Sequence, residues 1–273
     1  MAKRTETQVQ KVDGIQDLLK YDADDSLLKL QEYVVVPFIK LIQGMTEQEL
    51  KEKFGEGSVV LRPGDVKIID KDGKFLFVPL FFFTSFRQWA DRKDTIMIVE
   101  TSYDPDSSIA KFSRDPDKRS QAYEEDKDKE PKNQRCYRFV EHLCFIGLIY
   151  DGELAGTRCL ISFQKGDFRV GRAFASGAQM RKVDIDGTRQ QVPLWAQVWE
   201  IGVSLRDRNE NKWWGFDPGN PPEGIEPIIS PDEYESHHTA YEELSKAHAA
   251  NMIRVDGDDS DPDETSIKDS KDF

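Results

Sequence analysis

Asp72-Gly73-Lys74-Phe75-Leu76-Phe77-Val78-Pro79-Leu80-Phe81-Phe82-Phe83 decides how the rest of this chain is read. Its apolar part, 75–83, is the longest apolar run in the 273 residues, yet it is broken by Pro79 and far short of the roughly 18 residues that cross a bilayer. A buried strand is what such a run gives. Asp72-Gly73 in front of it is a hairpin turn that joins it to Val66–Ile69.

Upstream, Arg62-Pro63-Gly64-Asp65 reads as a turn with Pro at its second position and Gly at its third. Thr46-Glu47-Gln48-Glu49 reads as a capping box, with Met45 and Leu50 as a hydrophobic staple and Gly55 ending a helix of about two turns. The run 33–43 is apolar and β-branched, but Pro37 bars it from a central ladder, so it is expected as an edge strand or an extended docking segment. Residues 1–32 are polar and weakly amphipathic, with room for two short helices.

Downstream, strand patterns recur at 95–100, 137–150, 157–163, 193–205 and 212–216. Two segments interrupt them. The stretch 104–135 holds nine acids and eight bases with few apolar residues and is expected to be a solvated, mobile loop. In 167–181, Val170, Phe174 and Ala178 share one helical face, which predicts a helix packed on the sheet. Ser230-Pro231-Asp232-Glu233 is a second capping box, opening a helix of roughly 20 residues toward Arg254. The domain reading is an N-terminal segment 1–32, a binding domain 33–229, a helix 230–254 and a tail 255–273. The fold class is mainly β with helical additions (α+β), an antiparallel barrel or sandwich.

Charge narrows the function. The 38 Lys and Arg face 51 Asp and Glu, a net of −13, but the tail alone carries eight acids and two bases with almost nothing apolar, so it is expected to be disordered. Cys136, Cys144 and Cys159 form no CxxC pair and read as small buried hydrophobes. Catalytic motifs fail. Gly166-x4-Gly171-Arg172-Ala173 has P-loop spacing without its Lys and Ser/Thr. His237, His238 and His248 share one helix with no Cys near them, so neither a metal nor a cofactor is expected, and the chain is read as no enzyme. No apolar h-region follows Met-Ala-Lys-Arg, which points to the cytoplasm and away from membranes.

The positive signal is aromatic residues interleaved with bases. Phe86, Arg87 and Trp89, with Arg92 and Lys93, leave the apolar strand at its expected exposed end, and Lys212-Trp213-Trp214 sits where strand alternation turns one Trp outward. Arg169 and Arg172, with Lys165, Arg206 and Arg208, are placed to line the same groove. Such surfaces bind single-stranded nucleic acid, bases stacking on rings while cations track phosphates.

The acidic tail ending in Asp272-Phe273 resembles those of phage-encoded and bacterial single-stranded DNA-binding proteins. The patterns at 36–43, 62–65 and 77–80, Trp89, Pro193-Leu194-Trp195-Ala196-Gln197-Val198-Trp199 and Trp213-Trp214-Gly215-Phe216 also look like a group of phage early proteins. The first resemblance implies an OB-like barrel and a groove for single-stranded DNA. It further implies a tail whose Asp269, Asp272 and Phe273 dock replication or recombination proteins, with a homodimer as a further partner. Two other readings stand beside it: an acidic phage protein that inhibits a host enzyme by DNA mimicry, and a nucleic-acid-processing enzyme whose carboxylates hold Mg²⁺.

Overall fold

The computed structural model describes residues 34–44, 46–92, 95–130, 133–185, 187–208 and 211–255. The expected N-terminal helices, Met45, Lys93 and the tail residues Asp269, Asp272 and Phe273 lie outside them. In chain order, β1 (Val34–Val36) and β2 (Phe38–Leu41) lead to α1 (Gln48–Phe54), β3 (Val59–Arg62) and β4 (Val66–Ile69). The long β5 (Lys74–Arg92) and β6 (Thr95–Ser102) come next, then α2 (Ser108–Arg114), β7 (Ser120–Ala122), β8 (Cys136–Ile149) and β9 (Arg158–Gln164). After α3 (Phe168–Met180) come the hairpin β10 (Lys182–Ile185) and β11 (Thr188–Gln191), then β12 (Trp199–Arg208) and β13 (Asn211–Gly219). The described chain closes with α4 (Pro231–Ala249) and β14 (Ile253–Val255).

The main sheet runs β13-β12-β5-β8-β9-β2-β3-β4, with β6 also on β5 and β7 on β8. The α+β class holds; the OB-like barrel does not, because the sheet has two ends, β13 and β4, and among the described residues no ladder joins them. A side chain bridges part of that gap. Gln43, just past β2, donates from Nε2 to Trp214 O at 2.7 Å and accepts from Trp214 N at Oε1 at 2.9 Å, so its buried amide stands in for a strand partner on β13.

β5 is the axis of the sheet. It pairs with β8 from Phe77↔Ile149 to Ala90↔Tyr137, with β12 at its start and with β6 at its end. The start of β5, where a hairpin with β4 would form, is thereby taken by β12, and β4 pairs with β3 around the Pro63-Gly64 turn instead of forming the expected hairpin with β5. The register shift between Pro79 and Phe81 makes Leu80 the extra residue of a bulge, which is how a central strand tolerates a proline. Opposite it, Gly147 is obligatory: a Cβ there would lie 2.3 Å from both Phe77 Cζ and Val78 O.

The bulge also exchanges the faces. Before it Phe75 and Phe77 point into the core shared with α3, with β2, β3, β9 and β12, and Leu76 and Val78 into the core under α4. After it Phe83 belongs to the α4 side, and Phe82 to the α3 side. Phe174 and Ala178 of α3 are buried as their spacing predicts. On α4, Ser230 N donates to Glu233 Oε2 at 3.0 Å, as its capping box requires. The first capping box does not form: Thr46 is buried, its Oγ accepts from Gln43 N, and Glu47 takes the cap position without a side-chain bond.

Pro37 separates two sheets. β1 pairs in parallel with β14, while β2 lies inside the main sheet between β9 and β3, so 38–41 is not an edge. The described part of 104–135 is structured too: Ile109 and Ala110 of α2 pack on Phe86 and Phe139. Its buried Asp126 accepts from Arg135 Nε at 2.7 Å, and with Lys129 this holds the carboxyl well below its ordinary range.

Two outcomes follow. Gly147→Ala is expected to cost about 3 kcal/mol, since backbone at Val78 cannot yield, and urea unfolding will measure it. His142 and His248 are both pushed below the ordinary imidazole value of 6.5, first by burial. The unfolded chain therefore binds more protons, and stability, complete above about pH 6.5, falls as pH drops below it. Urea midpoints between neutral and mildly acidic pH check this, with a flatter profile expected for His248→Phe.

Candidate nucleic-acid interface

β13 ends the sheet, and its alternation separates the two tryptophans. Trp214 packs toward the α3 core, its ring against Gly57, where a Cβ would come within 2.8 Å. Trp213 faces the other way and lies on the backbone of the Lys165–Asp167 turn, where a Cβ on Gly166 would sit 2.9 Å from the indole. The ring is also held at its edge, Nε1 donating to Asp167 Oδ1 at 3.4 Å.

Asp167 ties this corner together. Its Oδ2 accepts from Phe216 N at 3.3 Å and its Oδ1 lies 3.4 Å from Arg206 Nε, while Arg206 Nη2 donates to Phe216 O at 2.5 Å. Burial raises its pKa, and Arg206 opposes that shift. The bare backbone of Gly215 makes room, since a Cβ there would be 2.1 Å from Arg206 Nε.

Exposed cations lie on the two elements that meet at this corner. Arg169 and Arg172 lie on the first turns of α3, which packs on β13, and Lys212 precedes the indole on β13 with a loose 3.8 Å pair to the exposed Asp207. The corner presents one half-buried indole held on one face by Gly166 and at its edge by Asp167, with Arg169 and Arg172 exposed on the neighbouring helix and Lys212, by strand alternation, on the opposite face of β13 from the indole. The P-loop-like glycines have other work: Gly166 seats Trp213, and Gly171 lets α3 approach the sheet, a Cβ there falling 2.5 Å from Phe163.

The other sequence-selected group lies elsewhere. β5 does not end at Phe83 but continues to Arg92, so Phe86, Arg87 and Trp89 stand between ladders and are 0%, 4% and 1% exposed. Phe86 lies under α2 with the Arg114 guanidinium 4.7 Å from its ring centre. As they stand, none of the three offers a face to a base. Arg92 ends the strand opposite Thr95, and Lys93 lies outside the described residues.

A second aromatic and cationic cluster was not legible in the sequence, because 104–135 reads as loop. An open groove of about 990 Å³ at the start of β8 is lined by Tyr123 and Tyr137, ring centres 4.5 Å apart, with Lys127 and Arg135, the latter 5.2 Å from the Tyr123 ring. The only signal for it was two tyrosines among bases. The histidines meet aromatic partners: His248 sits within 5.5 Å of Phe81, Phe83 and Tyr103, and His238 stands 5.1 Å from Trp195. Among the described residues no three His, Cys, Asp or Glu side chains converge as metal ligands, and no helix is long and apolar enough to cross a membrane.

No curated protein and no solved structure matches the chain. The profile of the Pam3 phage gp34-like protein family matches residues 29–250, from before β1 to the end of α4, and the chain belongs to that phage family.

Proposed function

We propose that this chain is a single-stranded DNA-binding protein acting in phage DNA replication or recombination, without catalysis of its own. Bases stack on Trp213, and phosphates lie along Arg169, Arg172 and Lys212. The observation that carries this reading is the seating of Trp213 on Gly166 with its indole N–H held by Asp167. A ring fixed on one face and at one edge loses little freedom when a base covers its other face, which is where stacking affinity comes from. Membership in a phage family fits the setting. The tail residues Asp269, Asp272 and Phe273 would recruit the partner proteins.

Titration of fluorescent oligo(dT) with the full chain tests this. Trp213→Ala is expected to weaken binding by about 1–3 kcal/mol, roughly 5- to 150-fold, with Trp213→Phe retaining most of the affinity. Three phosphate contacts give a log–log salt slope of about −2, and Arg172→Gln lowers it by about 0.7. Absence of binding at low salt overturns the reading and puts DNA mimicry, for which the net charge of −13 is suited, in its place.

A further inference from the structure

α3 ends on an arginine whose partners are all neutral. Arg181, the residue after Met180, lays its guanidinium on the Trp199 ring, 3.8 Å from the ring centre. Nη1 donates to Val198 O at 2.7 Å and to Pro227 O at 3.2 Å, and Nη2 donates to Asn220 Oδ1 at 2.8 Å. These bonds fasten the end of α3 to the residue before β12 and to the loop after β13. Two carbonyls and an amide are the acceptors, and no carboxylate among the described residues pairs with the cation.

A guanidinium carries five N–H groups, so at least two remain beyond these acceptors. Nε–H is one of them, with no partner among the described residues. Nε and Nη2 share one long edge of the guanidinium plane, the edge that a carboxylate meets side-on. The charge itself is costly where it stands, since burial alone pulls its pKa down to about 10. A partly desolvated cation held only by neutral acceptors is stabilised by an anion brought to its remaining donors.

Beside Arg181 opens a pocket of about 370 Å³, lined from β10 and from the loop 220–227. Its walls are apolar and stiff. Val183 contributes from β10, and Pro221, Pro222, Ile225 and Pro227 from the loop. The prolines fix φ along that loop. Ile225 N donates to Pro222 O at 3.1 Å across a turn whose third residue, Gly224, has φ +90°, as a type II turn requires. The lining is therefore set before a ligand arrives. Exposed Lys182 and Glu223 also line the pocket, and with Arg181 the balance of charge is positive.

A carboxylate suits this lining better than a phosphate does. Two donors on one edge match two oxygens, whereas the further oxygens of a phosphate would be set against proline and aliphatic walls. The volume is at the low end for small-molecule sites, with room for a carboxylate and one apolar group.

We propose that this pocket binds a carboxylate carried on an apolar group, from a small organic acid or from the end of a peptide chain. Arg181 holds the two oxygens, and Val183 and Ile225 meet the apolar part. The site is at the opposite end of α3 from Arg169 and Arg172 and does not depend on the nucleic-acid reading.

The test uses the ¹⁵N-labelled full chain and the Arg181 Nε–H resonance, assigned by its loss in Arg181→Lys. Phenylacetate is expected to move this resonance saturably, and the uncharged phenylacetamide to leave it in place. Ile225→Asp, at an exposed position of the lining, sets a like charge against the ligand and is expected to weaken phenylacetate binding by about tenfold or more. The persistence of the Arg181 resonance in that variant shows that the fold is intact. The dipeptide acetyl-glycyl-leucine, with its free terminal carboxylate, separates the two sources. Tighter binding than phenylacetate assigns the pocket to a peptide end, and weaker binding to a small acid. A resonance that responds to neither acid, or that responds as strongly to phenylacetamide or to inorganic phosphate, overturns the proposal. So does unchanged phenylacetate affinity in Ile225→Asp.

Discussion

The pairing of β5 on both edges is the constraint from which the other arrangements follow. A strand of 19 residues that carries β12 and then β6 on one side and β8 along the other has no edge left for its sequence neighbour β4. The chain therefore turns at Asp70 to Gly73 without a hairpin, and β4 goes to the far end of the sheet. One extra residue at Leu80 then decides which parity faces which helix. Without it Phe86 would face α4 and Arg87 would face α2; with it the apolar ring meets Ile109 and Ala110, and the guanidinium lies on the side of His142.

What was legible in the sequence was local. The period of Val170, Phe174 and Ala178 located α3, and Ser230 with Glu233 located the start of α4, because neighbours a few residues apart determine both. What failed was non-local. Pro37 reads as a mark of an edge, but the chain uses it to pass from one sheet to another, leaving β2 an interior strand. The capping box at Thr46 has the right residues, yet the hydroxyl is drawn inward by Gln43 N, and Gln43 itself is committed to β13, more than 150 residues away. No window of sequence carries that information.

The segment 104–135 shows the same limit in charge. Seventeen ionised side chains read as solvated loop, but Asp126, Lys129 and Arg135 pair among themselves around a buried carboxylate, which turns polar composition into local structure. Composition counts charges and leaves their pairing open. For a chain of net −13 that distinction matters, because cations already committed to internal carboxylates cannot serve a phosphate backbone. Arg135 and Arg206 are of that committed kind; Arg169 and Arg172 stand exposed on α3.

The two aromatic motifs, alike in sequence, separate for the same reason. Phe86-Arg87-Gln88-Trp89 lies on a strand with neighbours on both edges, so each face of the sheet is available to be covered and Trp89 is enclosed. Lys212-Trp213-Trp214 lies on the last strand of the path, where Trp214 turns inward to Gly57 and Trp213 packs on the short turn at Gly166. An aromatic ring in a sheet becomes core or surface according to how many elements remain to cover it, and at the end of the sheet few remain. Position in the strand order, more than the residues that flank it, is what leaves Trp213 half-buried while Trp89 is enclosed.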